Sequence, residues 1–298
     1  MAVLERKKKI IDAKEAAAQV KDGMTIGIGN RARPMMVIWE LIRNRVKNLT
    51  IVGGAFTHLG VDMLIGAGCV KKILTGSVTG DYLAGIGPCF RLMAERGELD
   101  VWEASEGVMY AGMKASSMLL PFLPWRAVVG TSYPEVNPDL KVFQDPIKGE
   151  TLVAVPAITP EITFLHAGYG DAYGNIQHAD LVGSDVALVD ASERVIVQVE
   201  KIISNEEIRK HPEKTTIHSV DVEAVIRAPY GSYPFASSGF YLNDDEHIRE
   251  YVNAANALRA GDKAPLQSYF DKYFYSPETF LDYLELIGAK RLLSLYEY

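Results

Sequence analysis

"GMTIGIGNRARPMMVIWELI", residues 23–42, decides the fold. It reads as a short β-branched strand at 24–29 and a turn carrying Gly27 and Gly29. Two arginines, Arg31 and Arg33, follow, then a helix over Met35–Val46 with Pro34 suited to its first turn. A strand that runs through a glycine turn into a helix is the repeating unit of a parallel α/β sheet. Such sheets collect ligands where strands end and helices begin. The stretch opens like a dinucleotide loop, but Ala32 and Arg33 occupy the neighbourhood of the third glycine. The next strand, "LTIVGGAFTH" (49–58), ends in glycines where a ribose-binding acid would stand, so the Rossmann fingerprint fails.

Working outward, strand-like runs recur at 49–54, 71–76, 126–130, 151–157, 162–167, 194–200 and 220–228. Helical patterns separate them at Ala13–Val20, Leu59–Gly66, Pro88–Arg96, Val108–Leu119 and Leu181–Asp190. Strands apolar on both faces and alternating with helices predict an α/β fold, an open, mostly parallel sheet covered by helices. From Asp244 to residue 298 the pattern is helical, a tail expected to pack on the sheet. No repeat or linker divides the chain, so 1–298 is expected to form a single domain.

With 48% apolar and 23% charged residues and a net charge of −7, the chain has the make-up of a soluble globular protein. That charge argues against nucleic acid or an anionic membrane as partner. The opening "MAVLERKKKIIDAKEAAAQV" is basic, then mixed, and lacks the apolar stretch of a signal peptide. The run "ASSMLLPFLPW" (115–125) carries two prolines and is too short to span a bilayer, so a cytoplasmic location is expected. Cys69 and Cys89 form neither a disulfide framework nor a zinc spacing and read as reduced, small apolar groups.

Self-sufficient chemistry is hard to find. Of the six histidines, none belongs to HxH or HExxH, which leaves a metal site with little support. His166, in an apolar strand, reads as a satisfied core group. There is no GxSxG elbow, and "GAGCVKK" (66–72) lacks Walker spacing, its Lys71 and Lys72 reading as a solvated strand edge. "GYGDAYGN" (168–175) reads as a hairpin. Gly53 and Gly54 at a strand end are a tight turn or a place where backbone approaches a ligand. Arg31 and Arg33 at a helix start are an anion site or an exposed pair. Glu106, in "ELDVWEASEGVMYAGMKASS" (98–117), follows a strand-like run and precedes a helix, where a sheet of this kind presents ligand groups. A surface carboxylate is the plainer alternative.

Several long stretches resemble the family I coenzyme A transferases, and among them the A (alpha) subunits of the glutaconate CoA-transferase type. Besides the opening quotation they are "LTIVGGAFTHLGVDMLIGAGCVKKI", "LPFLPWRAVVGTS", "VEKIISNEEIRKHPEKTTI", "VDVEAVIRAPYGSYP" and "LDYLELIGAKRLLSL". The resemblance implies an enzyme that moves CoA between carboxylic acids through a glutamyl-CoA thioester. It places the nucleophilic glutamate on a homologous B subunit, in an A2B2 heterotetramer, with CoA as substrate and no permanently bound cofactor. It gives this chain the facing wall: amides aimed at oxyanion charge at Gly27, Gly29, Asn30 and Gly53–Gly54, with Arg31, Arg33 and Ser77 also binding substrate or CoA.

Two departures from that family stand out. "GIGNRARP" replaces the usual Gly-Gly-Phe, and Glu106 stands where the transferases usually have glutamine. A glutamate there resembles the A subunit of the steroid ring-cleaving CoA hydrolase, which implies the alternative of C–C bond hydrolysis with Glu106 as general base. Facing a second carboxylate, Glu106 would instead form an acid–base pair. A glutaconyl-CoA-type decarboxylase and a non-catalytic CoA or sugar-phosphate sensor complete the alternatives.

Overall fold

A computed structural model describes residues 7–296. The first six residues of the basic opening and residues 297–298 of the tail lie outside the described residues. The main sheet is built from β1 (Ile10–Ile11), β2 (Thr25–Ile28), β3 (Leu49–Val52), β4 (Val70–Thr75) and β5 (Asp100–Glu103), then β9 (Ile162–Gly170), β10 (Ile176–Gln177), β11 (Val195–Ile202) and β12 (Ala224–Arg227). Its order is β1-β12-β11-β9-β2-β3-β4-β5, parallel throughout, with β10 added antiparallel on β9. The β9–β10 turn is the hairpin expected at 168–175. A second, antiparallel sheet runs β6 (Phe122–Trp125), β8 (Thr151–Pro156), β7 (Lys141–Gln144).

One face of the main sheet is covered by α1 (Ala13–Ala17), α2 (Met35–Arg43), α3 (Leu59–Gly66), α4 (Asp81–Ala84), α5 (Pro88–Glu95) and the tail. The tail comprises α10 (Asp245–Arg259), α11 (Ala264–Phe270), α12 (Phe280–Ile287) and α13 (Ala289–Ser294), and it packs through α10 on α5 and through α12 on α2. Trp39 of α2 is fully buried there and donates from Nε1 to the Tyr273 carbonyl at 2.8 Å. The other face carries α6 (Glu106–Ser117), α8 (Asp185–Ala191) and the small sheet, around a separate apolar cluster that includes Val108, Met109 and Val153. The short α7 (Tyr133–Val136) and α9 (Asn205–Lys210) lie in connections. No helix among the described residues is long and apolar enough to cross a membrane.

Several expectations need correction. Residues 126–130 are a turn, and the strand lies one step earlier, at Phe122–Trp125; Pro124 is accommodated because β6 is an edge strand. The run 151–157 is a strand, but of the small antiparallel sheet: its burial alternates, where a strand sandwiched between helices would be apolar throughout. Only Ala224–Arg227 of 220–228 is strand, and Val220 is exposed in the preceding turn. Pro34 is the cap of α2, one residue before its first turn. Lys71 and Lys72 are not on an edge: β4 lies between β3 and β5, and Lys72 Nζ reaches Asp100 Oδ2, its register partner on β5, at 3.3 Å. Cys69 and Cys89 are buried thiols, and burial pushes the Cys69 thiol up to about 11.

Candidate active site

The parallel strands bring the loops after β2, β3, β4, β5 and β9 to one edge of the sheet, which gathers Gly29–Arg33, Gly53–Gly54, Ser77 and Glu106 as the alternation predicts. Convergence at β3–β5 depends on Gly76. A Cβ on Gly76 would lie 2.4 Å from the Ala55 carbonyl oxygen and 3.4 Å from the Glu106 amide nitrogen. The loops after β3 and β5 therefore close over the end of β4, and the Gly76 amide donates to Ala55 O at 3.1 Å. Glu106 is the first residue of α6, capped by Ser105, whose hydroxyl accepts from the Val108 amide at 3.4 Å, and its side chain is exposed.

Most of the amides expected to face an oxyanion are already committed to the fold. Gly27 lies inside the ladder, opposite Val52 of β3 and Thr163 of β9. The Gly29 amide donates to Phe164 O at 2.9 Å, the Asn30 amide to Asp185 Oδ1 at 3.2 Å, and the Gly53 amide to Leu74 O at 3.0 Å. Gly27, Gly29, Asn30 and Gly53 are thus corrected from ligand donors to structural positions. The amides of Gly54 and Ser77 make no hydrogen bond among the described residues. They are the donors left at this edge.

The glycines serve close approach. A Cβ on Gly54, whose φ is +64°, would meet Ser184 Oγ at 2.6 Å. Ser184 in turn accepts from Asn30 Nδ2 at 2.7 Å and donates its amide to Asn30 Oδ1 at 3.4 Å. This clamp fixes the turns after β2 and β3 against the start of α8. His58 completes it: Nε2 donates to Gly29 O at 3.0 Å while Nδ1 accepts from the Gly60 amide at 3.1 Å. Burial, with the Arg33 charge nearby, pushes the His58 pKa well below the usual range, so it stays neutral in that tautomer.

Beside the clamp, a polar cavity of about 200 Å³ opens between the β2 and β9 ends, with Arg31, Arg33, His166, His178, Asp180 and Ser237 among its lining. Arg31 Nη2 pairs with Asp180 Oδ2 at 3.1 Å, and both are substantially exposed. The Leu181 amide, Ser238 and Arg31 together hold the Asp180 carboxyl below its ordinary range. The Arg33 guanidinium lies 4.7 Å over the Phe235 ring. His178 Nδ1 contacts Thr216 Oγ1 at 2.6 Å, while its Nε2 and Asp185 Oδ2 lie 3.4 Å apart, both buried without a hydrogen bond among the described residues. Sequence reasoning missed Gly76, His178 and Asp185, because lone glycines, histidines and aspartates carry no spacing signal.

His166, Ser237 and Glu200 resemble a hydrolytic triad in composition but not in geometry. Ser237 Oγ and Glu200 Oε1 approach the same nitrogen, His166 Nε2, at 3.3 and 3.0 Å. His166 Nδ1, the nitrogen a triad acid would orient, accepts from Gln198 Nε2 at 2.7 Å. His166 is the satisfied core group its strand position suggested.

Residues 10–228 match the model of the Coenzyme A transferase family, and the chain belongs to that family. It is 35% identical, over 96% of its length, to an uncharacterized protein of Archaeoglobus fulgidus, of which it spans 63%. It is 33% identical to the cholesterol ring-cleaving hydrolase IpdA subunit of Mycobacterium tuberculosis, covering 81% of this chain and 86% of that one. The alpha chain of glutaconate CoA-transferase from Acidaminococcus fermentans is 30% identical over 96% of this chain and 94% of its own. The crystal structure of that enzyme superposes with a TM-score of 0.88, covering 97% of this chain and 96% of that one.

Proposed function

We propose that this chain is the alpha component of a two-component CoA-transferase, moving CoA between carboxylic acids in the cytoplasm as part of an A2B2 heterotetramer. The observation that carries this reading is half a site: two uncommitted amides, Gly54 and Ser77, at the edge where Glu106 is presented, with no nucleophile–base pair of triad geometry beside them. The partner's glutamate attacks the acyl-CoA carbonyl and expels CoA thiolate. The thiolate then attacks the glutamyl carbonyl of the resulting anhydride, releasing the acid and leaving a glutamyl-CoA thioester for the acceptor carboxylate. Gly54 and Ser77 donate to the oxyanion formed at each attack. Arg31 and Arg33 hold a substrate carboxylate or a CoA phosphate in the polar cavity. Asn30, Gly29, Gly27 and Gly53 support this wall without touching substrate.

Glu106 favours a second reading, C–C bond hydrolysis of a CoA ester with Glu106 as general base. Borohydride treatment of the complex with acyl-CoA separates the two. Reductive capture of a partner glutamate supports transfer. Absence of capture, together with loss of activity in Glu106→Gln, supports hydrolysis and overturns the first reading.

A further inference from the structure

The face of α6 that begins at Glu106 continues, one turn later, to Tyr110 and then to Met113. Along it runs a slot of about 290 Å³, walled by Tyr110 and Met113 of α6, Leu123 and Trp125 of β6, and Ala187 of α8, with Lys114 and Asp190 as its charged members. The slot lies outside the polar cavity described above and shares no residue with it. Its lining is largely apolar. Trp125 presents the one feature out of keeping: Nε1 is buried and makes no hydrogen bond among the described residues. That nitrogen lies 3.8 Å from where a Cβ on Gly107 would sit, next to Glu106 in the first turn of the helix.

We propose that this slot receives the apolar body of the substrate's acyl group, with Trp125 Nε1 donating to an oxygen carried by that group. This rests on the reading of the chain as one that handles acyl-CoA thioesters. A void of this size is at the lower limit of small-molecule pockets and holds roughly ten non-hydrogen atoms, at about 30 Å³ for each water-sized group. An acyl chain entering beside Glu106 leaves its thioester at the strand ends and buries its hydrocarbon against Met113, Leu123 and Ala187. A buried N–H without an acceptor is costly, and a ligand oxygen relieves that cost. The slot therefore selects medium-sized apolar acyl groups over acetyl.

The test uses the full chain in complex with its co-expressed partner. Ala187→Leu fills the slot from the α8 side and should lower the ratio of octanoyl-CoA to acetyl-CoA kcat/KM about tenfold. An unchanged ratio overturns the proposal. Binding is read independently of turnover: ω-bromooctanoic acid should quench tryptophan emission of the complex, and Trp125→Phe should remove that quenching. No quenching, or quenching that persists in Trp125→Phe, overturns the proposal, as does quenching of the isolated chain that the partner abolishes by covering the slot. If the acid quenches through Trp125 while no thioester is turned over, the slot stands and the enzymatic reading falls.

Discussion

Replacing Gly27 by alanine separates a structural glycine from a ligand-binding one. A Cβ at position 27 would sit 2.0 Å from Thr163 Oγ1, 3.0 Å from its Cβ and 3.2 Å from its Cγ2. No rotamer of Thr163 clears all three, and Oγ1 is held by Ser192 Oγ at 2.6 Å. Both strands are interior to the sheet, so relief requires β2 and β9 to part. Overpacking costs about 1–3 kcal/mol, and disturbing the Thr163–Ser192 bond adds about 1 kcal/mol. Removing a glycine from a strand returns about 0.5–1 kcal/mol. The net expectation for Gly27→Ala is a loss of about 2–3 kcal/mol.

Thr163→Ala alone should cost only about 1–2 kcal/mol for a lost hydrogen bond and a small void, because Ser192 keeps its bond to the Leu188 carbonyl. In the double variant the new methyl occupies the vacated space, so the two losses should cancel in part, with a coupling of about 2 kcal/mol. Urea unfolding of the four proteins measures this, with the midpoint of Gly27→Ala falling by roughly 1 M at a slope of about 1–3 kcal/mol per M. Strictly additive losses, or a Gly27→Ala chain of wild-type stability that fails only in CoA binding, would refute the close-approach argument.

Two further outcomes are expected. Burial raises the Asp62 pKa from 3.8 to about 6, opposed by hydrogen bonds from the Phe90 amide, the Tyr251 hydroxyl and the Cys89 amide. Between those values the folded chain holds a proton that the unfolded chain has lost, so Asp62 destabilises progressively as pH rises from about 4 to 6, by about 3 kcal/mol in all. The stability difference between wild type and Asp62→Asn should therefore move in favour of wild type as pH falls through that window. A pH-independent difference counts against it. Gly54→Ala places a methyl against Ser184 at a φ of +64°. It should lower the melting temperature by several degrees for a cost of about 1–2 kcal/mol and impair turnover further by moving a free amide; an unimpaired enzyme would show that Gly54 does not face substrate.

The parallel sheet was legible because each strand, apolar on both faces, writes its burial into consecutive residues, and "GMTIGIG" and "LTIVGG" both do so. The small sheet was not: β7 and β8 alternate over few residues, and β6 contains a proline that only an edge position tolerates. In the site, Glu106, Gly54 and Ser77 were identifiable as groups at strand ends. His178 and Asp185 were not, since their pairing links residues whose only relation is adjacency after folding.

By itself the amino-acid sequence determined the alternation of strands and helices, the helical tail and the edge of the sheet that carries the candidate site. Those follow from side-chain periodicity, a local property. Tertiary structure alone decided how each amide at that edge is used. Phe164, Asp185 and Leu74 take the donors of Gly29, Asn30 and Gly53, while those of Gly54 and Ser77 are left over. A hydrogen bond is satisfied by whichever acceptor packing brings within about 3 Å, and for Gly29 and Asn30 that acceptor lies more than a hundred residues away along the chain.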